Sequence, residues 1–385
     1  MPKILIILLL TLICASHALA QNQDQGEEQE PEPLRIGFGG ALLGRLAAYG
    51  LSNLYGIEYA INKVNIAGGV LGRRVILVQQ DDSCESALAS AAATKLTTEG
   101  IKLVLGHTCS GPTNSALSVY GNNAIVISSS ATETSLTKSG NHPFFFRTTP
   151  RDDAQSSLQY KLIRANGYKK IAILHDKGEY GKALAELLEA AIKADSSSGI
   201  TLVLVEGLTA GQVSFDAIVS KVKASDADAL VWGGYYNDAS KLAISLREKG
   251  LDIPIIGADG IYNLRYIELG GKAVENSYAT GQIDISHSPT ALAAIADHKT
   301  RHTEDIGTYF FYAAGAAQAL FAAIEHAGSA TDLPLIKKHL HEDTVDTVMG
   351  PIRFDTSGDI IGANFNLYVV KNGQFVLNIL NNSVN

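Results

Sequence analysis

Short apolar runs alternate with stretches of helical periodicity along most of the chain. Before Pro150 the runs are brief and continuous, as buried parallel strands are, and amphipathic stretches separate them. The predicted strands cover residues 34–38, 74–79, 102–105, 124–128 and 144–147, and the predicted helices cover about 51–64, 84–98 and 112–120. This alternation predicts β-α-β units around a parallel sheet.

A second series of the same kind begins after Pro150. Its predicted strands cover residues 169–174, 201–205, 229–232, 253–257 and 277–280, with helices at 154–166, 181–194, 215–224 and 239–249. Two series of similar length predict an α/β fold with two similar lobes, each a doubly wound sheet. Helices at 291–302, 309–327 and 335–340 and three short strand-like runs follow, and the pattern alone assigns them to neither lobe.

The N-terminus has the pattern of a secretory signal peptide over residues 1–20. Lys3 precedes an apolar run over 4–14, and Ala18 and Ala20 are the small residues of a cleavage site. A lipoprotein signal that uses Cys14 is the alternative, and the bulky Ile13 before it disfavours that reading. Residues 21–33 are mostly Gln, Glu and Pro, which predicts a flexible acidic leader. We therefore expect an extracytoplasmic mature protein that spans no membrane.

Cys84 and Cys109 are the two cysteines that remain after the predicted cleavage. In an oxidising compartment such a pair usually forms a disulfide, and two buried free thiols are the alternative. We expect no metal site and no cofactor, because neither cysteine has another cysteine or a histidine at ligand spacing except His107, and the pairs His298/His302 and His339/His341 lie among charged residues typical of a surface. The net charge is −8 and the basic residues are scattered, which argues against nucleic acid as a partner.

Ligands of open α/β sheets bind beyond the carboxyl ends of the strands, so candidate chemistry is expected directly after each predicted strand. The first strand ends in a glycine-rich turn, but Leu42 stands where a dinucleotide fingerprint requires glycine. The third strand leads to Ser110 at a predicted helix start, and the fourth leads to a hydroxyl cluster with Ser130 and Thr132. Two such converging loops predict a carboxylate site, with simple helix capping by Ser110 as the alternative.

In the second series Asp259 lies between glycines after a predicted strand, where its carboxylate can pair with a ligand ammonium. An ordinary turn aspartate is the alternative. Tyr180 and Tyr235 follow other strands and are candidates for pocket walls or for ordinary packing. Catalytic patterns are weak, because the chain lacks G-x-S-x-G and Ser110 with His107 nearby lacks an evident orienting acid. We expect no catalytic residues and no enzyme.

Several segments match one family in order along the chain. They are Gly40-Ala41-x-x-Gly44 with Tyr49-Gly50, Asp81-Asp82-Ser83-Cys84, Gly106-His107-Thr108-Cys109-Ser110, Ala131-Thr132, His175-Asp176-Lys177-Gly178-Glu179-Tyr180-Gly181, Gly233-Gly234-Tyr235 and Asp346-Thr347-Val348-Met349-Gly350-Pro351. As an ordered set they resemble the periplasmic branched-chain amino acid binding proteins, the leucine/isoleucine/valine type that serves ABC importers. The resemblance implies the type I periplasmic binding fold, with two Rossmann-like lobes joined by three crossovers.

The resemblance also implies lobe boundaries and a disulfide. Lobe 1 would comprise residues 34–150 and about 284–360, and lobe 2 would comprise residues 151–283 and about 361–385. Cys84 and Cys109 match the disulfide cysteines of the family.

The site residues follow from the same resemblance. Ser110, Thr132 and the backbone of Ser130 match the family's carboxylate ligands. Asp259 matches the acid that binds the ligand ammonium, where the family often has glutamate. The expected pocket positions are Tyr49, Thr108, Cys109, Tyr180, Tyr235, Gly307 and Tyr309.

Two pocket positions depart from the leucine-binding pattern. Thr108 stands where those proteins carry an apolar residue, and Gly307 aligns with a pocket aromatic, with Tyr309 close by. Loss of an aromatic predicts an enlarged side-chain pocket. We therefore expect the α-amino acid contacts to be retained and the choice of side chain to differ from leucine.

These observations predict an extracytoplasmic solute-binding protein of an ABC importer. It would capture a free amino acid, branched-chain or otherwise hydrophobic or aromatic, by hinge closure in the periplasm. The expected partner is an inner-membrane ABC permease, and the expected state is a monomer. The alternative is the same fold with a non-amino-acid ligand (an amide, a urea-like solute or an aromatic acid) or with the role of a sensor domain.

Overall fold

The computed structural model describes residues 31–380. The predicted signal peptide and most of the predicted leader lie outside the described residues. None of the helices between residues 31 and 380 has both the length and the apolar character needed to cross a bilayer.

The first half of the chain builds a parallel sheet of five strands in the order β2-β1-β3-β4-β5. The strands are β1 (Leu34–Gly40), β2 (Val75–Asp81), β3 (Leu103–Gly106), β4 (Ile125–Ser128) and β5 (Phe145–Arg147). The helices between them are α1 (Ala47–Ile66), α2 (Ser86–Thr98), α3 (Ser110–Tyr120) and the short α4 (Ser135–Lys138). The apolar side chains of β3 and β4 are buried on both faces of the sheet, which explains why their sequences are continuously apolar.

The next part of the chain builds the parallel portion of a second sheet. Its strands are β6 (Lys170–His175), β7 (Thr201–Gly207), β8 (Ala229–Gly233), β9 (Ile255–Gly257) and β10 (Tyr278–Gln282). Its helices are α5 (Asp152–Ala165), α6 (Glu179–Ala194), α7 (Asp216–Ser225), α8 (Tyr236–Glu248) and α9 (Leu264–Gly270), with 3-10 turns at Asp259–Ile261 and Gly271–Val274. The predicted alternation of strands and helices is therefore present in both halves.

The remaining elements return to both sheets. They are α10 (Pro289–Lys299), α11 (Phe310–Ala327), α12 (Leu333–Glu342), the two-stranded sheet of β11 (Val345–Thr347) and β12 (Gly350–Ile352), and β13 (Phe365–Lys371) with β14 (Gln374–Leu377). β13 pairs antiparallel with β10 and gives the second sheet the order β14-β13-β10-β9-β8-β6-β7. The prediction of two doubly wound lobes joined by three crossovers is confirmed.

Helix α11 packs against α1 and covers one face of the first sheet. Ala313, Ala316 and Leu320 join Ile57 in the same buried cluster. A Cβ atom at Gly56 would lie 2.1 Å from the carbonyl oxygen of Phe310, so only glycine permits this approach of the two helices. The close packing fixes the start of α11, which borders the space between the lobes.

Candidate functional site

A small cavity lies between the two sheets, beyond the carboxyl ends of their parallel strands. Its lining residues come from both lobes and are Tyr49, Thr108, Cys109, Ser110, Ser130, Tyr180, Tyr235, Asp259, Gly260 and Tyr309. The sequence predicts all of these positions except Gly260. The cavity therefore brings together side chains that are up to 260 residues apart in the chain.

The wall from the first lobe consists of hydroxyl groups and the start of a helix. Cys109 is extended, and α3 begins at Ser110, so the N–H groups of its first turn face the cavity end of β3. The hydroxyl of Ser130 donates to the carbonyl of Thr108 at 2.8 Å, and Ser128 donates to His107 at 2.7 Å. These bonds hold the loops after β3 and β4 side by side. A helix N-terminus beside hydroxyls favours a ligand carboxylate.

Two predicted residues are placed differently from the others. Thr132 does not line the cavity, yet its hydroxyl oxygen is buried and has no hydrogen-bond partner within residues 31–380. Gly307 lies in a separate open groove, where a Cβ atom would meet the side chain of Ser52 at 2.8 Å. Gly307 therefore does not line the cavity between the sheets, whereas its neighbour Tyr309 does. The backbone N–H of Tyr309 donates to Ser52 Oγ at 2.9 Å, and this hydrogen bond fixes the position of Tyr309.

Asp259 faces the cavity from the second lobe, in the 3-10 turn after β9. Its carboxylate is buried and accepts hydrogen bonds from Tyr180 at 2.7 Å, Tyr309 at 2.9 Å and the Gln155 amide at 2.9 Å. Burial raises the pKa of Asp259, and these hydrogen bonds oppose that rise. Among the described residues, no basic side chain forms a salt bridge with this carboxylate. The position therefore favours a ligand that carries a positive charge.

A second buried acid, Asp152, lies behind Asp259. The Gln155 amide also donates to Asp152 at 2.9 Å, so one side chain bridges the two carboxylates. Burial, and then the charge of Asp259, raise the pKa of Asp152 well above the ordinary aspartate value. Thr280 donates in turn to Gln155. Gln155 and Thr280 therefore link Asp259 to a second buried carboxyl group, whose raised pKa favours its neutral form.

Sequence reasoning did not identify Asp152 and Gln155, although α5 carries a signal. Four polar residues of this helix are buried at helical spacing, at positions 152, 155, 156 and 159. A helix face that points into a core is normally apolar. A polar stripe on such a face is a sign that it supports a site.

Four tyrosines enclose the rest of the cavity. The ring of Tyr49 lies 5.4 Å from Tyr309 and 6.2 Å from Tyr235, and Tyr235 stacks on Tyr180 at 5.1 Å. Burial, together with the charge of Asp259, raises the pKa of all four hydroxyls, so they remain neutral hydrogen-bond donors. They provide apolar ring faces for a ligand side chain and polar tips for its charged group.

The lobes are in contact on both sides of the cavity. The Tyr49 hydroxyl donates to the carbonyl of Gly260 at 2.9 Å, and Asn114 donates to Glu179 at 2.8 Å. Arg45 forms a salt bridge of 3.2 Å with Asp238. Each of these bonds joins a residue of the first sheet's lobe to one of the second, so the structure represents a closed arrangement.

Arg147 supports the hydroxyl wall from behind. Its guanidinium is fully buried and pairs with Asp359 at 2.6 Å, and it donates to the carbonyls of Ala131 at 3.1 Å and Glu133 at 2.7 Å. Burial lowers the pKa of Arg147, and Asp359 counteracts that effect. Sequence reasoning missed this residue, because Asp359 is 212 positions away and nothing local pairs the two.

The structure provides no serine nucleophile with a histidine base at this site. The two ring nitrogens of His107 contact Asp82 at 2.7 Å and Tyr120 at 3.1 Å, not Ser110. Cys84 and Cys109 form a disulfide with Cα atoms 5.6 Å apart, which confirms the predicted bond and makes the free-thiol alternative wrong. The disulfide links the loop after β2 to the residue that precedes α3.

Comparison with known proteins gives consistent matches over nearly the whole described chain. The family model for periplasmic binding protein matches residues 33–374. A Leu/Ile/Val/Thr-binding protein of Salmonella typhimurium is 31% identical over 339 residues, which cover 88% of this chain and 91% of that protein.

Solved structures agree in fold. LivJ, the branched-chain amino acid transporter substrate-binding protein of Streptococcus pneumoniae, solved with isoleucine, matches with a TM-score of 0.78 and 27% identity over 89% of this chain and 97% of its own. A solute-binding protein of an ABC transporter from R. palustris, solved with benzoate, matches with a TM-score of 0.79 and 17% identity over 90% of this chain and 95% of its own.

Proposed function

Because this chain belongs to the periplasmic binding protein family, we propose that it captures a free amino acid in the cavity between its lobes and delivers it to an ABC importer. The proposal rests on the different chemistry of the two ends of the cavity, one of which is acidic while the other presents hydrogen-bond donors. Asp259 is a buried carboxylate without a basic partner among the described residues, while Ser110 presents a helix N-terminus from the other lobe. A zwitterion satisfies both ends at once.

The ligand contacts follow from these two ends. The ammonium would lie against Asp259, with the Tyr180 and Tyr309 hydroxyls beside it. The carboxylate would accept hydrogen bonds from Ser110, from the backbone of Ser130 and from the hydroxyl of Thr132. The Thr132 contact rests on the family resemblance, because Thr132 does not line the cavity in this closed arrangement.

The ligand side chain would pack among the tyrosine rings. Tyr49 lies between Tyr235 and Tyr309, and the three rings line this part of the cavity. The related Salmonella protein is named for Leu, Ile, Val and Thr. We therefore propose a branched-chain amino acid or a solute of similar size, with Thr108 adding a polar group to the wall.

Capture would proceed by hinge closure. The first lobe binds the carboxylate, and closure brings the tyrosines and the acid of the second lobe onto the ligand. A ligand that contacts both lobes stabilises the closed form by its differential affinity for that state. We propose that the hinge segments connect two lobes. Lobe 1 comprises residues 34–150 and about 284–360, and lobe 2 comprises residues 151–283 and about 361–385. We further propose a periplasmic monomer that presents its closed form to an inner-membrane permease.

Calorimetric titration with leucine, isoleucine, valine and threonine tests the assignment. Removing one partner of a buried charge pair costs about 3–5 kcal/mol, so Asp259→Asn should weaken binding by roughly two to three and a half orders of magnitude. The matched control is Asp252→Asn, because the Asp252 side chain is 93% exposed and lies outside the cavity. Equal affinity of wild type and Asp259→Asn would exclude the ammonium assignment.

A deaminated analogue separates an amino acid from an acid without an ammonium. 4-Methylpentanoate keeps the carboxylate and the branched side chain of leucine, so we expect it to bind wild type far more weakly than leucine. Tight binding of this analogue or of benzoate, with no effect of Asp259→Asn, would instead support the aromatic or aliphatic acid alternative.

A further inference from the structure

Two histidines and an aspartate meet at the surface of the first lobe, away from the cavity. His326 lies in the last turn of α11, His339 lies in the last turn of α12, and Asp343 follows α12 directly. One carboxylate oxygen of Asp343 lies 2.7 Å from Nδ1 of His326 and 2.8 Å from Nδ1 of His339. We propose that these three side chains form a binding site for a divalent transition-metal ion, with Zn²⁺ as the representative.

The donor set matches the chemistry of such ions. Imidazole nitrogen and carboxylate oxygen are preferred zinc ligands, and three protein ligands leave the fourth tetrahedral position to water. The three ligand atoms lie within 4.8 Å of one another. A tetrahedral zinc ion at about 2.0–2.1 Å from each ligand needs neighbouring ligand atoms roughly 3.3 Å apart, so the Asp343 oxygen must move about half an ångström away from each Nδ1 atom.

The local structure permits that movement and keeps the ligands together. The side chains of His326, His339 and Asp343 are 53%, 23% and 27% exposed, so solvent reaches all three. His339 and Asp343 are four residues apart at the end of α12, which places them on one side of the helix. In this structure each Nδ1 donates its proton to the Asp343 carboxylate, so metal binding requires the neutral imidazoles to carry the proton on Nε2 instead, which leaves the Nδ1 lone pairs free to bind the ion.

The electrostatics of the cluster favour a cation. Both histidines lie at helix C-termini, where the helix dipole presents partial negative charge. Asp343 adds a carboxylate group within hydrogen-bond distance of both imidazole rings.

This site is separate from the proposed amino acid site. Tyr309 precedes the first residue of α11 and His326 lies in its last turn, so the rise of an α-helix separates them by about 25 Å. We therefore expect metal binding and amino acid binding to be independent. Failure of either proposal leaves the other intact.

The test uses the mature chain prepared without a polyhistidine tag and treated with a chelator that is then removed. Titration calorimetry with zinc chloride should give one site per chain in wild type. We expect zinc affinity to fall at least about tenfold in each of the variants His326→Ala, His339→Ala and Asp343→Asn. Loss of a residue that is only hydrogen-bonded to a metal ligand already lowers affinity by about that factor. His287→Ala is the matched control, because this exposed histidine lies 3.6 Å from Asp284 and belongs to no group of three ligands among the described residues, so the variant should retain wild-type binding.

Two results would overturn the proposal: a wild-type isotherm without saturable zinc binding, and equal zinc affinity in wild type and the His326→Ala/His339→Ala double variant. A second readout does not depend on the variants. Titration of wild type with Co²⁺ should produce the visible absorption bands of a four-coordinate site with nitrogen and oxygen ligands. Absence of these bands would contradict the site even where a variant fails to fold.

Discussion

Replacing Arg147 with methionine removes the guanidinium behind the hydroxyl loop. The side chain is fully buried, with Asp359 at 2.6 Å and the carbonyls of Ala131 and Glu133 at 3.1 and 2.7 Å. Breaking a buried ion pair from one side costs about 3–5 kcal/mol when the other charge is left unpaired, and this range is an upper bound here because Asp359 keeps its salt bridge with Arg151. At about 2–4 °C per kcal/mol for a unit of 150–250 residues, the melting temperature should fall by up to roughly 6–20 °C.

Urea unfolding followed by circular dichroism measures the loss of unfolding free energy directly. The control is Arg35→Met, because Arg35 pairs with Glu99 at the surface with its side chain 42% exposed. An exposed pair contributes about 0–1 kcal/mol, so the control should remain close to wild type. If Arg147→Met were no less stable than Arg35→Met, the buried pair of Arg147 and Asp359 would not stabilise the hydroxyl loop after β4. Leucine affinity should fall together with stability, since Ala131 lies between two proposed carboxylate ligands.

The remaining predictions concern pH and the disulfide. Burial raises the pKa of Asp259, so its carboxylate should take up a proton at a pH above the ordinary aspartate pKa of about 3.9. Leucine affinity measured from pH 8 downward should therefore begin to fall before that pH is reached. A constant affinity down to pH 4 would contradict an ionised Asp259 as the ammonium ligand. Because the pKa values of Asp259 and Asp152 are raised, the folded, unliganded protein binds more protons than the unfolded chain. These two groups should therefore increase the free energy of unfolding as the pH falls toward the ordinary aspartate pKa of about 3.9, and unfolding curves at each pH will measure this increase. Replacing Cys84 and Cys109 with serine opens a loop with a sequence separation of 25 and should cost about 3.5 kcal/mol of unfolding free energy, and an unchanged melting curve in the double variant would refute that loop-closure estimate.

The strands and the loops that follow them were predictable because their signals are local. Continuous apolar runs identify buried strands, and the carboxyl ends of parallel strands converge, so Ser110 and Asp259 were found from position alone. Helix boundaries were less accurate, and α1 begins at Ala47, earlier than the apolar periodicity suggested. Its first turn contains Tyr49, whose place in the cavity depends on contacts with the other lobe.

The unpredicted parts depend on contacts between distant segments. Gly307 and Tyr309 are two positions apart in an irregular stretch, and only the packing of Ser52 against this stretch shows which one faces the cavity. Gln155 supports Asp259 across 104 residues, so its role cannot be derived from neighbouring sequence. The polar stripe on α5 indicates that something unusual is buried there, but not which carboxylate it serves.

The contact between α1 and α11 also sets the order in which the chain can fold during synthesis. Ser52 at the start of this contact bonds to Ile306, 254 residues later, and the same helices share the core of the first lobe. At translation rates of about 5–20 residues per second, roughly 10–50 s pass between the synthesis of α1 and that of the segment that precedes α11. The N-terminal half therefore remains without its finished core for most of synthesis. A polypeptide that must thread through a translocation channel before it folds benefits from that delay.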